Sequence, residues 1–174
     1  MLQYPTHWPQ FYTATILEWK HLLKPDKYKD IIVQSLQYLA ANKKITLYAF
    51  APIAIGVSNH IHLIWQALPG KTPEQIQHSF MKYTARQIKF DLEESHLLVL
   101  DKFRINAKDR TYQFWERNSL SIELYSHDVF MQKLKYIHWN PVTAGLCSLP
   151  EKYFYSSAHF YHTGLDDFGM LTHC

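Results

Sequence analysis

The run Val57-Ser58-Asn59-His60-Ile61-His62-Leu63-Ile64-Trp65-Gln66 constrains this chain more than any other stretch. Apart from Ser58 and Asn59 it reads as a buried strand, yet it carries two histidines with one apolar residue between them. Side chains two apart on a strand point to the same face, about 6–7 Å apart along the chain. His60 and His62 are therefore expected to look one way, with Ile61 and Leu63 turned into the core. Two imidazoles converging from a rigid strand can hold a divalent cation if a third ligand comes from elsewhere. An isolated His-x-His pair is more often two polar residues on a solvated sheet face, so the rest of the chain has to decide.

At 174 residues the chain is expected to form one domain with a core of its own. Apolar residues make up 47% and charged ones 19%, a globular balance that excludes disorder. The two cysteines, Cys147 and Cys174, are no disulfide framework, so a reducing, intracellular setting is expected. No charged-then-apolar leader opens the chain, and no run approaches the length of a membrane span, so neither secretion nor membrane insertion is indicated. A net charge of +3 permits nucleic acid as a partner without arguing for it. Aromatics at 16% are abundant, and exposed ones could stack on unpaired bases.

Phe11 to Leu17 is β-branched and aromatic and predicts a first strand. Tyr28, Ile31, Ile32, Leu36 and Leu39 then repeat with helical spacing over about 27–42. Ile45–Phe50 predicts a second strand, with Pro52 marking a break in pairing or an edge, and Gly56 with Ser58-Asn59 a turn before the histidine strand. Thr72, Pro73 and Gln75 have the spacing of a capping box and open a helix over about 73–92. Its apolar stripe is Ile76, Phe80, Tyr83 and Ile88; His78, Lys82, Arg86 and Lys89 share another face, either solvated charge or a phosphate-contacting surface. Residues 95–113 follow no clear period: Leu97–Leu100 is a short apolar run, and the basic and polar stretch Lys102 to Arg110 is expected to be a mobile loop. A strand over about 120–125 is followed by a helix capped by Ser126, with Asp128 in its first turn. Phe130, Leu134 and Ile137 form the buried stripe of that helix, and Val129, Lys133, Tyr136 and Asn140 line up beside it. The tail from Pro150 to Cys174 is aromatic and polar without clear periodicity, and is expected to wrap the surface by docking Tyr153, Phe154, Tyr155, Phe160 and Tyr161.

Asn59-His60-Ile61-His62-Leu63-Ile64-Trp65, followed by Tyr136-Ile137-His138-Trp139-Asn140-Pro141-Val142-Thr143-Ala144-Gly145-Leu146 and by Tyr155-Ser156-Ser157-Ala158, resembles the REP-associated tyrosine transposases of the single-tyrosine HUH superfamily. The likeness covers roughly residues 9–161, and Phe114-Trp115-Glu116-Arg117 resembles the family's Trp-Gln-basic element. The conjunction of motifs is specific, and either half alone would be weak. Two departures stand out: Phe50–Val57 is longer than the family's usual approach to the histidines, and Glu116 stands where glutamine is common. The resemblance implies an α+β fold, a ferredoxin-like antiparallel sheet with helices on one face. The strand-helix-strand-strand-helix-strand-helix order read from the residues is compatible with it.

The resemblance also implies chemistry. Tyr136 would attack a DNA phosphate and become joined to the 5′ phosphate, freeing a 3′ hydroxyl. A phenol with a reference pKa of about 10 is a weak nucleophile at neutral pH and needs help. His60 and His62 would hold a divalent cation, Mg²⁺ or Mn²⁺. Asn140, one helical turn beyond Tyr136, would supply the third ligand. His78, Lys82, Arg86, Lys89 and Arg117 are the expected DNA contacts, and the expected partner is single-stranded or hairpin DNA. A bacterial cytoplasmic protein, on the nucleoid when DNA-bound, is implied, with a homodimer left open. Asn59 is expected to shape the turn before the strand rather than bind metal. Tyr125, just before the same helix, is the rival nucleophile. Two other classes compete. A histidine phosphohydrolase of the H-x-H-x-H type is opposed by Ile64 at the third histidine position. A domesticated hairpin-binding protein would keep the fold without turnover.

Overall fold

The computed structural model describes residues 7–55 and 58–174. Four strands, β1 (Gln10–Thr15), β2 (Ile45–Ile55), β3 (Ser58–Ala67) and β4 (Leu120–Glu123), form one antiparallel sheet in the order β2-β3-β1-β4. Helix α1 (Asp26–Ala41) connects β1 to β2, and α2 (Pro73–Ser95) with the short α3 (Leu97–Asp101) leads from β3 to β4. This is the split β-α-β, ferredoxin-like topology, in which β1 and β3 take the two central places. Helix α4 (His127–Thr143) follows β4, and α5 (Ala158–Thr163) lies in the tail.

The period-two alternation of the central strands sorts their side chains onto two cores. Tyr12 and Ala14 of β1 and Ile61, Leu63 and Trp65 of β3 pack against α1 and α2. Phe11 and Ile64, with Ala49, Ala51 and Ile53 of β2, face Phe130, Leu134 and Ile137 of α4. The crossover helices α1 and α2 thus share one face, as expected of the fold class. Helix α4 adds cover on the other face, because its Phe130-Leu134-Ile137 stripe needs an apolar floor and β2 and β3 supply one.

Several local expectations shift. The first strand ends at Thr15, and Leu17–Trp19 makes a 3-10 turn instead. The second strand continues through Pro52 to Ile55. Proline is tolerated there because β2 is an edge strand, and Tyr153 donates its hydroxyl to the Pro52 carbonyl (2.7 Å). Ser58 and Asn59 pair with β2 as part of β3, whereas Gly56 and Val57, the rest of the expected turn, lie outside the described residues. The long approach to the histidines is therefore mostly extra strand.

Helix α2 has the expected capping box and runs on to Ser95. Its inward stripe is Ile76, Phe80, Thr84, Ile88 and Leu92, while Tyr83 is exposed. Thr84 replaces Tyr83 because the spacing is strictly four, and its hydroxyl has a partner inside, accepting from Trp115 Nε1 at 3.0 Å. The apolar run Leu97–Leu100 forms α3, and the stretch from Lys102 to Arg110 carries no helix or strand but is tied down at its start: Phe103 is buried, and Gln113 N donates to the Phe103 carbonyl at 3.0 Å. The tail folds onto the outer edge of β2. Ser157 N donates to the Phe50 carbonyl (3.1 Å) and Thr172 N to that of Leu47 (2.9 Å), satisfying edge groups that would otherwise lack partners. Tyr155 docks and is buried, but Phe154 stays exposed.

Candidate active site

The histidines occupy the sheet face beneath α4, opposite to Ile61 and Leu63. His60 is 9% exposed and His62 4%, so neither lies on a solvated face. Their ring centroids are 4.5 Å apart. The β1–β3 register sets Thr13 opposite His62 and Thr15 opposite His60. Thr13 Oγ1 and His62 Nδ1 are hydrogen-bonded at 2.8 Å, which leaves Nε2 of that ring facing the cleft. His60 Nδ1 is buried without a hydrogen-bond partner among the described residues. Burial drives both imidazoles toward the neutral form. His60 falls to about 4; His62 falls to about 3 through burial, then His60, then Lys133. Neutral imidazoles are the form that binds metals.

Helix α4 brings the remaining residues to this floor. Its Ser126 cap accepts from Val129 N, and the buried stripe fixes the rotation of the helix. Tyr136, next to Ile137, then stands at the rim, 48% exposed, with its ring edge-on to His62 (5.1 Å between centroids) and to Phe11 (6.0 Å). Asn140, one turn on, reaches His62 Nε2 through its amide nitrogen at 3.5 Å. A half-turn of the amide presents its carbonyl oxygen there, the atom a hard cation requires. No group of three His, Cys, Asp or Glu residues comes together for a metal among the described residues. The donor set is two histidines and an amide, and it fits a cation that keeps positions open for substrate oxygens. The rival Tyr125 is elsewhere: its hydroxyl donates to Glu123 and its ring packs against Trp8 at 5.8 Å.

Asn59 has a structural role, as expected, though within the strand rather than in a turn. Its Oδ1 accepts from Leu23 N at 2.9 Å and its carbonyl from Ile16 N at 2.9 Å.

The expected DNA contacts lie apart from the histidines. His78, Lys82, Arg86, Lys89 and Arg117 line one groove of about 1180 Å³, together with Arg110, Tyr112 and Phe114. The groove also includes Tyr12, so it lies on the α2 side of the sheet. Its charge is uneven: Lys89 pairs with Glu93 at 3.0 Å, and Asp109 lies 2.5 Å from Arg110 and 3.9 Å from Arg117. His78, Lys82 and Arg86 are in no ion pair among the described residues. The segment Phe114–Arg117 links the two faces. Glu116 N donates to the Thr15 carbonyl (2.8 Å), and Glu116 Oε1 accepts from Glu18 N (2.7 Å). The next residue, Trp19, stands edge-on to His60 at 6.2 Å.

Sequence reasoning assigned no role to Phe11, Thr13 or Trp19. Phe11 and Thr13 were legible in part, since odd positions of the first strand share a face; their meeting with His62 depended on the inter-strand register.

The fold is that of the tyrosine transposases. A solved structure of a REP-associated tyrosine transposase bound to a REP hairpin superposes with a TM-score of 0.62 at 15% identity, covering 97% of this chain and 88% of that one. A candidate transposase from Deinococcus radiodurans R1 aligns with a TM-score of 0.45 at 15% identity, over 79% of this chain and 95% of that chain. No protein-family model and no curated protein matches the chain. Among the described residues no helix is long and apolar enough to cross a membrane.

Proposed function

We propose that this protein is a metal-dependent single-stranded DNA endonuclease and strand transferase that acts at hairpin or repeat sequences and forms a 5′-phosphotyrosine intermediate through Tyr136. One observation carries the reading: a half-exposed phenol stands edge-on to one ring of a buried histidine pair, with an amide one turn away on the same helix. His60, His62 and Asn140 would hold the divalent cation, Mg²⁺ or Mn²⁺, which would supply charge stabilisation at the transferring phosphoryl group.

The chain's own residues do the rest. Burial keeps both imidazoles neutral, and Thr13 orients His62. Phe11 and Ile137 anchor the floor and the helix, so the phenol is held over the cleft rather than left to swing in solvent. The phosphotyrosine ester conserves the energy of the phosphodiester, so attack by a 3′ hydroxyl can rejoin strands without a nucleotide cofactor. The groove of His78, Lys82, Arg86, Lys89 and Arg117 would track DNA phosphates on the α2 side. The structure of the same fold bound to a REP hairpin supports DNA as the partner.

The test mixes the protein with labelled single-stranded hairpin oligonucleotides and Mn²⁺. A protein–DNA adduct that survives denaturant is expected, lost on Tyr136→Phe. Binding without adduct would instead mean a hairpin-binding module, and released phosphate a hydrolase.

A further inference from the structure

Lys133 is a charged residue beside this chemistry, and no motif assigns it a role. It precedes Tyr136 by three positions and Asn140 by seven, so the three share one face of α4. Its ammonium sits over the Phe11 ring, 4.8 Å from the centroid, and 5.9 Å from the centroid of Tyr136. Phe11 also stacks on His62 at 5.4 Å, so one aromatic ring is the common floor for the imidazole, the phenol and the ammonium. Lys133 is in no ion pair among the described residues. Its charge is felt at His62, whose protonated form it disfavours after burial and His60.

A lysine held by aromatic faces with no neutralising carboxylate, beside a nucleophile and two neutral imidazoles, complements an anion that arrives with the substrate. We infer that Lys133 is a catalytic residue whose ammonium contacts a non-bridging oxygen of the scissile phosphodiester. This rests on the transferase reading above.

The step balances without redox. Tyr136 Oη forms a bond to phosphorus, and its proton passes to water at the open rim. The P–O3′ bond breaks, its electron pair leaves on the 3′ oxygen, and that oxygen takes a proton from water. Negative charge accumulates on the non-bridging oxygens as the bonds exchange, and Lys133 is placed to meet it. The competing account is that the lysine only lays its stem on Phe11 and contributes packing.

Lys133→Met separates the two, because it keeps an unbranched stem on the ring and removes only the charge. The probe is the hairpin that gives the most adduct with the wild-type protein, taken from a pool of single-stranded hairpin oligonucleotides with randomised flanks. A second version carries a neutral methylphosphonate at the mapped cleavage position. With the phosphodiester, Lys133→Met is expected to slow adduct formation by about 100-fold or more. Hairpin affinity should hold within a few-fold, and Lys133→Arg should recover part of the rate. With the methylphosphonate, wild type and Lys133→Met should react at rates within a few-fold of each other, since the charge that Lys133 meets is gone. An equal rate for Lys133→Met on the phosphodiester, or an undiminished penalty on the methylphosphonate, overturns the assignment while leaving the transferase reading intact. No adduct with the wild-type protein overturns both.

Discussion

Thr13 and His62 face each other across β1 and β3 and share a hydrogen bond of 2.8 Å between Oγ1 and Nδ1. With Nδ1 engaged, His62 presents only Nε2 to the cleft, and the hydroxyl fixes the ring's rotation. Partners of this kind typically contribute 10–100-fold to metal affinity. Thr13→Val keeps the β-branched shape and deletes the hydroxyl. It is expected to weaken Mn²⁺ binding by about 10–100-fold, measured by titration calorimetry, with a far smaller change in unfolding midpoint. Unchanged affinity would mean that His62 does not bind the ion in this orientation.

Tyr136→Phe removes the attacking oxygen and retains the ring against His62 and Phe11. Adduct formation should vanish while hairpin binding persists, and stability should move by about 1 kcal/mol or less, since the residue is half-exposed. Peptide sequencing of the wild-type adduct reads the answer directly. DNA attached to Tyr125, or an adduct formed by the Phe variant, would refute the choice of nucleophile.

The groove's cations are unequal, and salt dependence should reveal it. Lys82 and Arg86 have no acidic partner among the described residues, whereas Lys89 is held by Glu93. Each lost phosphate contact lowers the slope of log affinity against log salt by about 0.7 for single strands. Neutralising Lys82 and Arg86 to glutamine together should therefore flatten the slope by about 1.4, and Lys89→Gln should do less. Identical slopes for all variants would return these residues to ordinary solvated charge.

Two buried histidines and the half-buried His138 make the metal-free protein acid-sensitive. Burial lowers His60 and His138 to about 4 and, together with His60 and Lys133, His62 to about 3. In the unfolded chain a histidine titrates near about 6.5, so between these values the unfolded state binds more protons. The stability contribution is complete above the unfolded value and is lost as pH falls through the folded one, by about 1.4 kcal/mol per unit of separation per group. Urea midpoints in EDTA should drop steadily from pH 6.5 toward pH 4, and less steeply for His60→Gln. A midpoint flat over that window would show that these imidazoles are not buried neutral.

Much of this protein is legible in its sequence, and for a common reason. His60 and His62 share a face because strand geometry has a period of two. Tyr136, Asn140 and the Phe130-Leu134-Ile137 stripe follow from helical spacing, and the caps at Thr72 and Ser126 from side-chain oxygens that reach backbone N–H groups. All are consequences of local covalent geometry. Tyr83, expected inward, is the instructive exception. A spacing of three or four admits either Tyr83 or Thr84, and the choice fell to Thr84 because Trp115, distant in sequence, supplied its hydroxyl with a partner.

Tertiary structure alone decided the rest. The sheet order β2-β3-β1-β4 and the β1–β3 register brought Thr13 to His62, and a slip of one residue would have put Tyr12 or Ala14 there instead. The placement of α4 on the face away from α1 and α2 turned two buried histidines and a surface phenol into one cleft. The tail found structure because β2 had an open edge to satisfy, and the segment after α3 is anchored because Phe103 had a core to enter. Local periodicity states which way a side chain points along its own element. What it points at depends on contacts between residues far apart in the chain, whose free energy exists only once the whole fold has closed.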